Sequence, residues 1–154
     1  MSNSQKITPF LWYDGQAEEA MNHYVSIFKN GKILGVNRAG DQVLSGTFEI
    51  EGQRFMALNG GPKYAFTPAV SFFVDCETQE EVDELWEKLS AGGGEPGRCG
   101  WLKDKFGVSW QIIPAALGQC LSDPDPERAG RALNAMLQMN KIDISALKKA
   151  ADGS

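Results

Sequence analysis

Two stretches of the chain repeat one order of apolar and polar positions. The run Phe10-Leu11-Trp12-Tyr13-Asp14 leads into Met21, Tyr24, Val25 and Phe28, spaced as on one face of an α-helix. About 61 residues later, on the scale of a repeated half-domain, Ser71-Phe72-Phe73-Val74-Asp75 leads into Val82, Leu85, Trp86 and Leu89, and Glu80 takes the place of Glu19. Each helical pattern stops at glycine, at Gly31 in the first copy and at Gly92-Gly93-Gly94 in the second. Asp14 and Asp75 stand before the helices, where capping is their expected role.

Strand-like segments complete each copy. Gly46 to Ile50, the turn Glu51-Gly52 and Gln53 to Leu58 read as a hairpin. Gly100 to Lys103, the turn from Asp104 to Gly107 and Val108 to Ile113 read as its counterpart. A further strand is predicted at Ile33 to Asn37, with a loose counterpart from Glu95 to Cys99. The order is therefore βαβββ twice, over residues 5–62 and 66–114, with a helical tail over 115–154. In the tail, Asp123-Pro124-Asp125-Pro126 makes a turn that supplies a helix cap, and Ala129, Leu133, Met136 and Leu137 are expected to pack against the sheet or a second chain. A short last helix is predicted from Ser145 to Ala151.

One such unit cannot bury both faces of its own sheet. The predicted fold class is α+β: two βαβββ units forming a cup-shaped curved sheet, with helices outside, a cavity inside and a C-terminal helical extension, all in one domain. The two-residue period of a strand puts Ser109, Gln111 and Ile113 on one face and Val108, Trp110 and Ile112 on the other. Met56 and Leu58 likewise separate from Phe55 and Ala57. Aligning Gly52 with Gly107 places Met56 opposite Gln111 inside the cup. If the repeat were accidental, a ferredoxin-like α+β dimer is the alternative fold.

Composition narrows the function. The 154 residues are 42% hydrophobic, enough for a packed core, and carry a net charge of −5. An acidic chain repels phosphate backbones, so no nucleic acid is expected as a partner, and a negative protein would suit a cationic ligand. No apolar run reaches the length of a membrane span, and the polar start lacks a secretory core, so the expectation is a cytoplasmic protein with no membrane partner. Cys76, Cys99 and Cys120 are odd in number and lack metal spacing, and the chain has one histidine.

The opening Leu11-Trp12-Tyr13-Asp14-Gly15-Gln16-Ala17-Glu18-Glu19-Ala20, together with the doubled βαβββ pattern, resembles the vicinal oxygen chelate superfamily. This superfamily holds glyoxalase I, bleomycin-resistance proteins and extradiol dioxygenases. Ala57 to Pro62, Glu77 to Asp83 and Cys99 to Gln111 are similar to its PhnB-like branch, often labelled demethylubiquinone 3-methyltransferase. The resemblance takes in almost the whole chain, tail included. It implies a homodimer, in which units can be exchanged between chains, and a pocket for a small molecule. Metal-using members place His, Glu or Gln at the start of the first strand and on the last strand of each unit. The matching residues here are Thr8 to Phe10, Pro68 to Val70, Met56 and Gln111, and of these only Gln111 could coordinate. No metal and no cofactor are therefore expected.

The candidate ligand-binding residues are Trp12, Met56, Phe73, Cys99, Trp101, Ser109 and Gln111. The ligand is expected to be small and partly aromatic or hydrophobic, and no catalytic residue is assigned. His23 could act as a general base, but without an accompanying carboxylate or nucleophile it reads as a helix residue beside the core. Cys99 could present a thiol at the rim or fill space as a small apolar residue. Asn59-Gly60-Gly61-Pro62 could let backbone amides approach an anion, or serve as a plain turn. Asp104 to Gly107 is read as a structural turn. Three other functions compete with metal-free binding: a metal-dependent glyoxalase- or dioxygenase-type enzyme, a methyltransferase as the branch label says, and a purely structural dimer.

Overall fold

The computed structural model describes residues 5–153. These divide between Phe66 and Thr67 into two compact units, each built as βαβββ. The first holds β1 (Phe10–Tyr13), α1 (Ala17–Ile27), β2 (Lys32–Ala39), β3 (Gln42–Ile50) and β4 (Gln53–Asn59). The second holds β5 (Ser71–Cys76), α2 (Gln79–Ser90), β6 (Glu95–Pro96), β7 (Trp101–Lys103) and β8 (Ser109–Pro114). It continues into α3 (Ala115–Leu121), α4 (Pro126–Met136) and α5 (Ile144–Asp152). Each unit forms one four-stranded sheet, in the orders β1-β4-β3-β2 and β5-β8-β7-β6. In each, the first and last strands pair parallel and the other pairs are antiparallel. The class is thus mixed α+β with the predicted internal repeat.

Strand alternation decides what each helix covers. In the first unit, Leu11, Tyr13, Phe48, Phe55 and Ala57 lie buried with Ala20, Met21 and Tyr24 of α1. Phe48 stacks on Phe55 at 5.2 Å between ring centroids, Tyr24 stacks on Phe48 at 5.8 Å, and the Tyr13 hydroxyl donates to that of Tyr24 at 3.2 Å. In the second unit, Val82, Leu85 and Leu89 of α2 are buried with Leu102, Trp110 and Ile112. Trp86, expected in this core, is only half-buried. The opposite sheet faces carry Trp12, Met56 and Leu58 in one unit and Phe73, Trp101 and Gln111 in the other. No helix among the described residues is long and apolar enough to cross a membrane.

Several sequence expectations are corrected. The register pairs Phe10 with Met56 and Ser71 with Ser109, so Met56 is the counterpart of Ser109, and Leu58 that of Gln111. The glycine alignment failed because the hairpins differ in length. The first turns through Glu51 and Gly52, with φ of 51° and 80°, directly after the Ile50–Gln53 pair. The second leaves its ladder earlier, at Lys103–Ser109. The strand expected from Glu95 to Cys99 stops at Pro96, and Cys99 lies in a turn with φ 59°.

Asp14 and Asp75 cap neither helix. The first amide of α1, that of Ala17, donates to the Asn59 side chain at 2.8 Å, and Thr78 caps α2 by accepting from the Glu81 amide at 3.1 Å. Asp125, by contrast, caps α4 as the tail reading anticipated, accepting from the Glu127 amide at 3.0 Å.

Of the four residues expected to pack in the tail, Met136 joins the buried cluster and Ala129 is half-buried, whereas Leu133 and Leu137 stay largely exposed within the chain; α3 was not anticipated. Ile113, Leu117, Ile142 and Leu147 form a buried cluster, with Cys120, Met136 and Met139 against it. On α4 the fully buried residue is Ala132, whereas Leu133 and Leu137 are 42% and 45% exposed. Charge explains the choice of face. Arg131 closes the end of α5 by donating to the carbonyls of Ala150 and Ala151, and Arg128 donates to both Asp123 and Asp152 at 2.9 Å. The loop between α4 and α5 is latched to the second unit. The Gln79 side chain donates to the Ile142 carbonyl at 2.9 Å and accepts from the Ile144 amide at 2.8 Å. The amides of Cys99 and Gly100 donate to Met139 and Asn140 at 2.8 Å, and Lys141 meets Asp83 at 2.8 Å. Hydrogen bonds from Lys141 and then Gln79 hold the Asp83 carboxyl below its ordinary range.

Candidate functional site

The helix-free face of the second sheet gathers four of the seven candidate residues in two rows. In one row Phe73 of β5, Gln111 of β8 and Trp101 of β7 are direct register partners. In the next, Ser71, Ser109 and Lys103 are aligned in the same way. Opposite residues in such ladders have Cβ atoms about 5 Å apart, so each row is a continuous strip of side chains. Phe73 is 57% exposed, and Gln111 and Trp101 are half-buried. The Gln111 amide donates to the Ser71 hydroxyl at 2.9 Å, which fixes its plane between the two aromatic neighbours. The next position along β8, Ile113, is taken up by the tail cluster, which ends the accessible strip.

The remaining candidates fall elsewhere. Cys99 is half-buried in the turn before β7, its backbone tied to the tail. Trp12 and Met56 share the helix-free face of the first sheet, on adjacent strands but in different rows, since Trp12 pairs with Leu58 and Met56 with Phe10. Trp12 is partly covered by its own unit. Its indole donates to the Gly61 carbonyl at 2.9 Å and meets Tyr64 edge-on at 5.0 Å. A Cβ at Gly60 would come within 2.4 Å of that indole, so the glycine is what allows the loop to lie against it. The Asn59-Gly60-Gly61-Pro62 stretch is therefore a support for Trp12.

Asp104 was read as a turn residue, and it does more. Its carboxylate is 2% exposed and accepts from the Phe106 amide at 2.9 Å, the Val108 amide at 3.0 Å and the Trp110 indole at 2.9 Å. One side chain thereby ties the β7–β8 connection to the strand that carries Ser109 and Gln111. His23 is half-buried on α1, its ring centroid 5.9 Å from that of Tyr24.

Lys103 and Ser71 were missed as site residues. The signal was present: Lys103 is two residues from Trp101 on one strand and must share its face. A cleft of about 260 Å³ elsewhere in the second unit is lined by Cys120, Asp123, Arg128, Lys148 and Asp152, and holds none of the candidates. There, the hydrogen bonds Arg128 donates to Asp123 and Asp152 raise it above its ordinary pKa, so its charge is already matched.

The description 3-demethylubiquinone-9 3-methyltransferase belongs to the family whose model matches residues 5–113. A PhnB protein of Bacillus cereus, described as a candidate 3-demethylubiquinone-9 3-methyltransferase, is 40% identical with a TM-score of 0.66, over 72% of this chain and all of that one. The chain belongs to the PhnB-like branch of the vicinal oxygen chelate superfamily. A protein of Pseudomonas aeruginosa shares the fold at 19% identity and a TM-score of 0.61, over 70% of this chain and 96% of that one. A glyoxalase-related enzyme of Fulvimarina pelagi shares it at 16% identity and a TM-score of 0.52, over 73% and 90%. No match is found among curated proteins. The family match ends at Ile113, within β8.

Two groups implied by this PhnB-like membership can be tested against the residues. For a metal, the positions the superfamily uses offer no imidazole or carboxylate, and a lone Gln111 amide oxygen is the one coordinating group among them. Among the described residues no three His, Cys, Asp or Glu side chains are grouped to hold an ion. This donor set does not fit a transition metal. For a nucleoside methyl donor, the usual seat is a glycine-rich loop between a parallel strand and a helix, with an acidic residue for the ribose. The connections here are Asp14-Gly15-Gln16 and Glu77-Thr78, and each sheet has a single parallel pair, so that seat is not present among the described residues.

Proposed function

We propose that this PhnB-like protein binds a small, partly aromatic or hydrophobic molecule on the helix-free sheet faces, without a metal. The observation that carries the reading is the strip Phe73–Gln111–Trp101, two rings flanking an amide whose orientation is already set. Aromatic faces with one fixed polar group are the usual make-up of a small-molecule site. The ligand lies against Phe73 and Trp101 and takes a hydrogen bond from Gln111 or Ser109; on the first unit's own open face, Trp12 and Met56 are the residues proposed to meet a ligand. Cys99 contributes as a small apolar neighbour of Trp101. We further propose a cytoplasmic homodimer; its three cysteines are free thiols.

Native mass spectrometry with elemental analysis tests this reading on freshly purified protein. The expected result is the mass of two chains, a retained small organic molecule and less than one metal per chain. A transition ion held at one per chain would replace it with the metal-dependent enzyme, and a single-chain mass would remove the dimer. The methyltransferase reading rests on the family's description. Calorimetric titration with S-adenosylmethionine is expected to give no binding heat, and tight binding would establish that reading instead.

A further inference from the structure

Resting on that binding site, the charge of its ligand can be read from the second row. We infer that the second sheet's open face takes a planar aromatic carboxylate, its ring between Phe73 and Trp101 and its anionic group at Ser109 and Lys103. This is opposite to the cationic ligand suggested by the net charge of −5. Global charge steers encounter, whereas the groups touching a ligand decide which sign is held.

Three observations carry the inference. Ser109 is 4% exposed as a residue, and its hydroxyl is not among the buried side-chain atoms left without a partner, so the little surface it keeps lets solvent, or a ligand, reach that oxygen. A hydroxyl open on one side and free of internal bonds can donate to a bound acid without breaking a contact of the fold. Lys103 is the direct register partner of Ser109 and brings an ammonium to the same row. Its contact with Glu95 is long, 4.0 Å, and the Glu95 side chain is 73% exposed, so the amine is held weakly and can turn to an acid on the sheet.

The face also has a polarity. Asp75 shares it, paired with Ile113, on the far side of the aromatic row. Strand geometry puts it roughly 16 Å from Lys103, two strands across and four residues along. A carboxylate is thus repelled at one end of the aromatic row and held at the other. Gln111 bonds Ser71 through its amide nitrogen, which leaves its carbonyl oxygen as an acceptor in the aromatic row.

Three probes of equal ring size separate the possibilities: 2-naphthoate, 2-naphthylmethanol and 2-naphthylmethylammonium, titrated calorimetrically into the full-length protein. Naphthoate is expected to bind about tenfold tighter than the alcohol, the worth of one charge-assisted hydrogen bond, and the ammonium weakest. Lys103→Gln is expected to bring naphthoate to within about threefold of the alcohol while leaving the alcohol's affinity unchanged. Ser109→Ala is expected to weaken naphthoate by a similar factor. Equal binding of all three, or a preference for the ammonium, overturns the charge inference and leaves the aromatic site standing. A Lys103→Gln loss shared equally by alcohol and acid also overturns it. Absence of binding by every probe overturns the site itself.

Discussion

Replacing Asp104 by alanine is expected to cost about 3 kcal/mol of unfolding free energy, one of the two largest effects expected of a single substitution. The carboxylate is buried and receives two backbone amides and the Trp110 indole. Removing it strands three enclosed donors, each carrying a desolvation cost of about 1–3 kcal/mol, moderated by no longer burying a charge. Asp104→Asn keeps an acceptor oxygen for the amides and is expected to lose about half as much. Urea unfolding followed by tryptophan fluorescence measures both. An alanine variant within about 0.5 kcal/mol of the parent, the range of ordinary surface changes, would mean that the turn holds its shape without the carboxylate.

The second large effect belongs to the tail. Ile142 is fully buried against Ile113, Leu117 and Leu147, and a Cβ at Gly100 would approach it at 3.1 Å. Ile142→Ala is expected to cost about 3 kcal/mol, in the range of large-to-small changes in tight cores. Leu137→Ala, on the face that sequence spacing favoured, is expected to stay within about 0.5 kcal/mol because Leu137 is already 45% exposed. Denaturant midpoints of the pair measure the contrast, and a costly Leu137 variant would show that Leu137 packs as the sequence spacing expected.

What could be read beforehand follows from how local each signal is. The separation of Phe55 and Ala57 from Met56 and Leu58, and of Trp110 and Ile112 from Ser109 and Gln111, needs only the two-residue period of a strand. The repeat itself was visible because both units reuse one strand–helix opening. The match of Met56 with Gln111 was not recoverable, because it depended on where each hairpin leaves its ladder. The cap of α2 was local, Thr78 accepting from the Glu81 amide three residues on, and could have been read; that of α1 failed for a similar reason. The first amide of α1 is met by Asn59, 42 residues away, a partner that exists only once β4 lies beside β1.

On α4, apolar spacing pointed to Ala129, Leu133, Met136 and Leu137. Within the chain the covered side runs along Ala129, Ala132 and Met136, beside two arginines whose partners arrive from α5 and the preceding turn. Small residues permit close helix approach, and that preference is invisible to a hydrophobic count. For the site, Trp101, Ser109 and Gln111 were legible from alternation, whereas the Gln111–Ser71 bond joins residues 40 positions apart.

The outer strand of the first sheet, β2, has a further consequence. Its register with β3 slips twice, between Ile33 and Gly35 and again between Asn37 and Arg38. Such breaks kink the free border, so its outward amides and carbonyls present no uninterrupted template to another strand. Although Ile33 and Leu34 are exposed on this strand, fibril-like stacking along it finds no straight rail to follow.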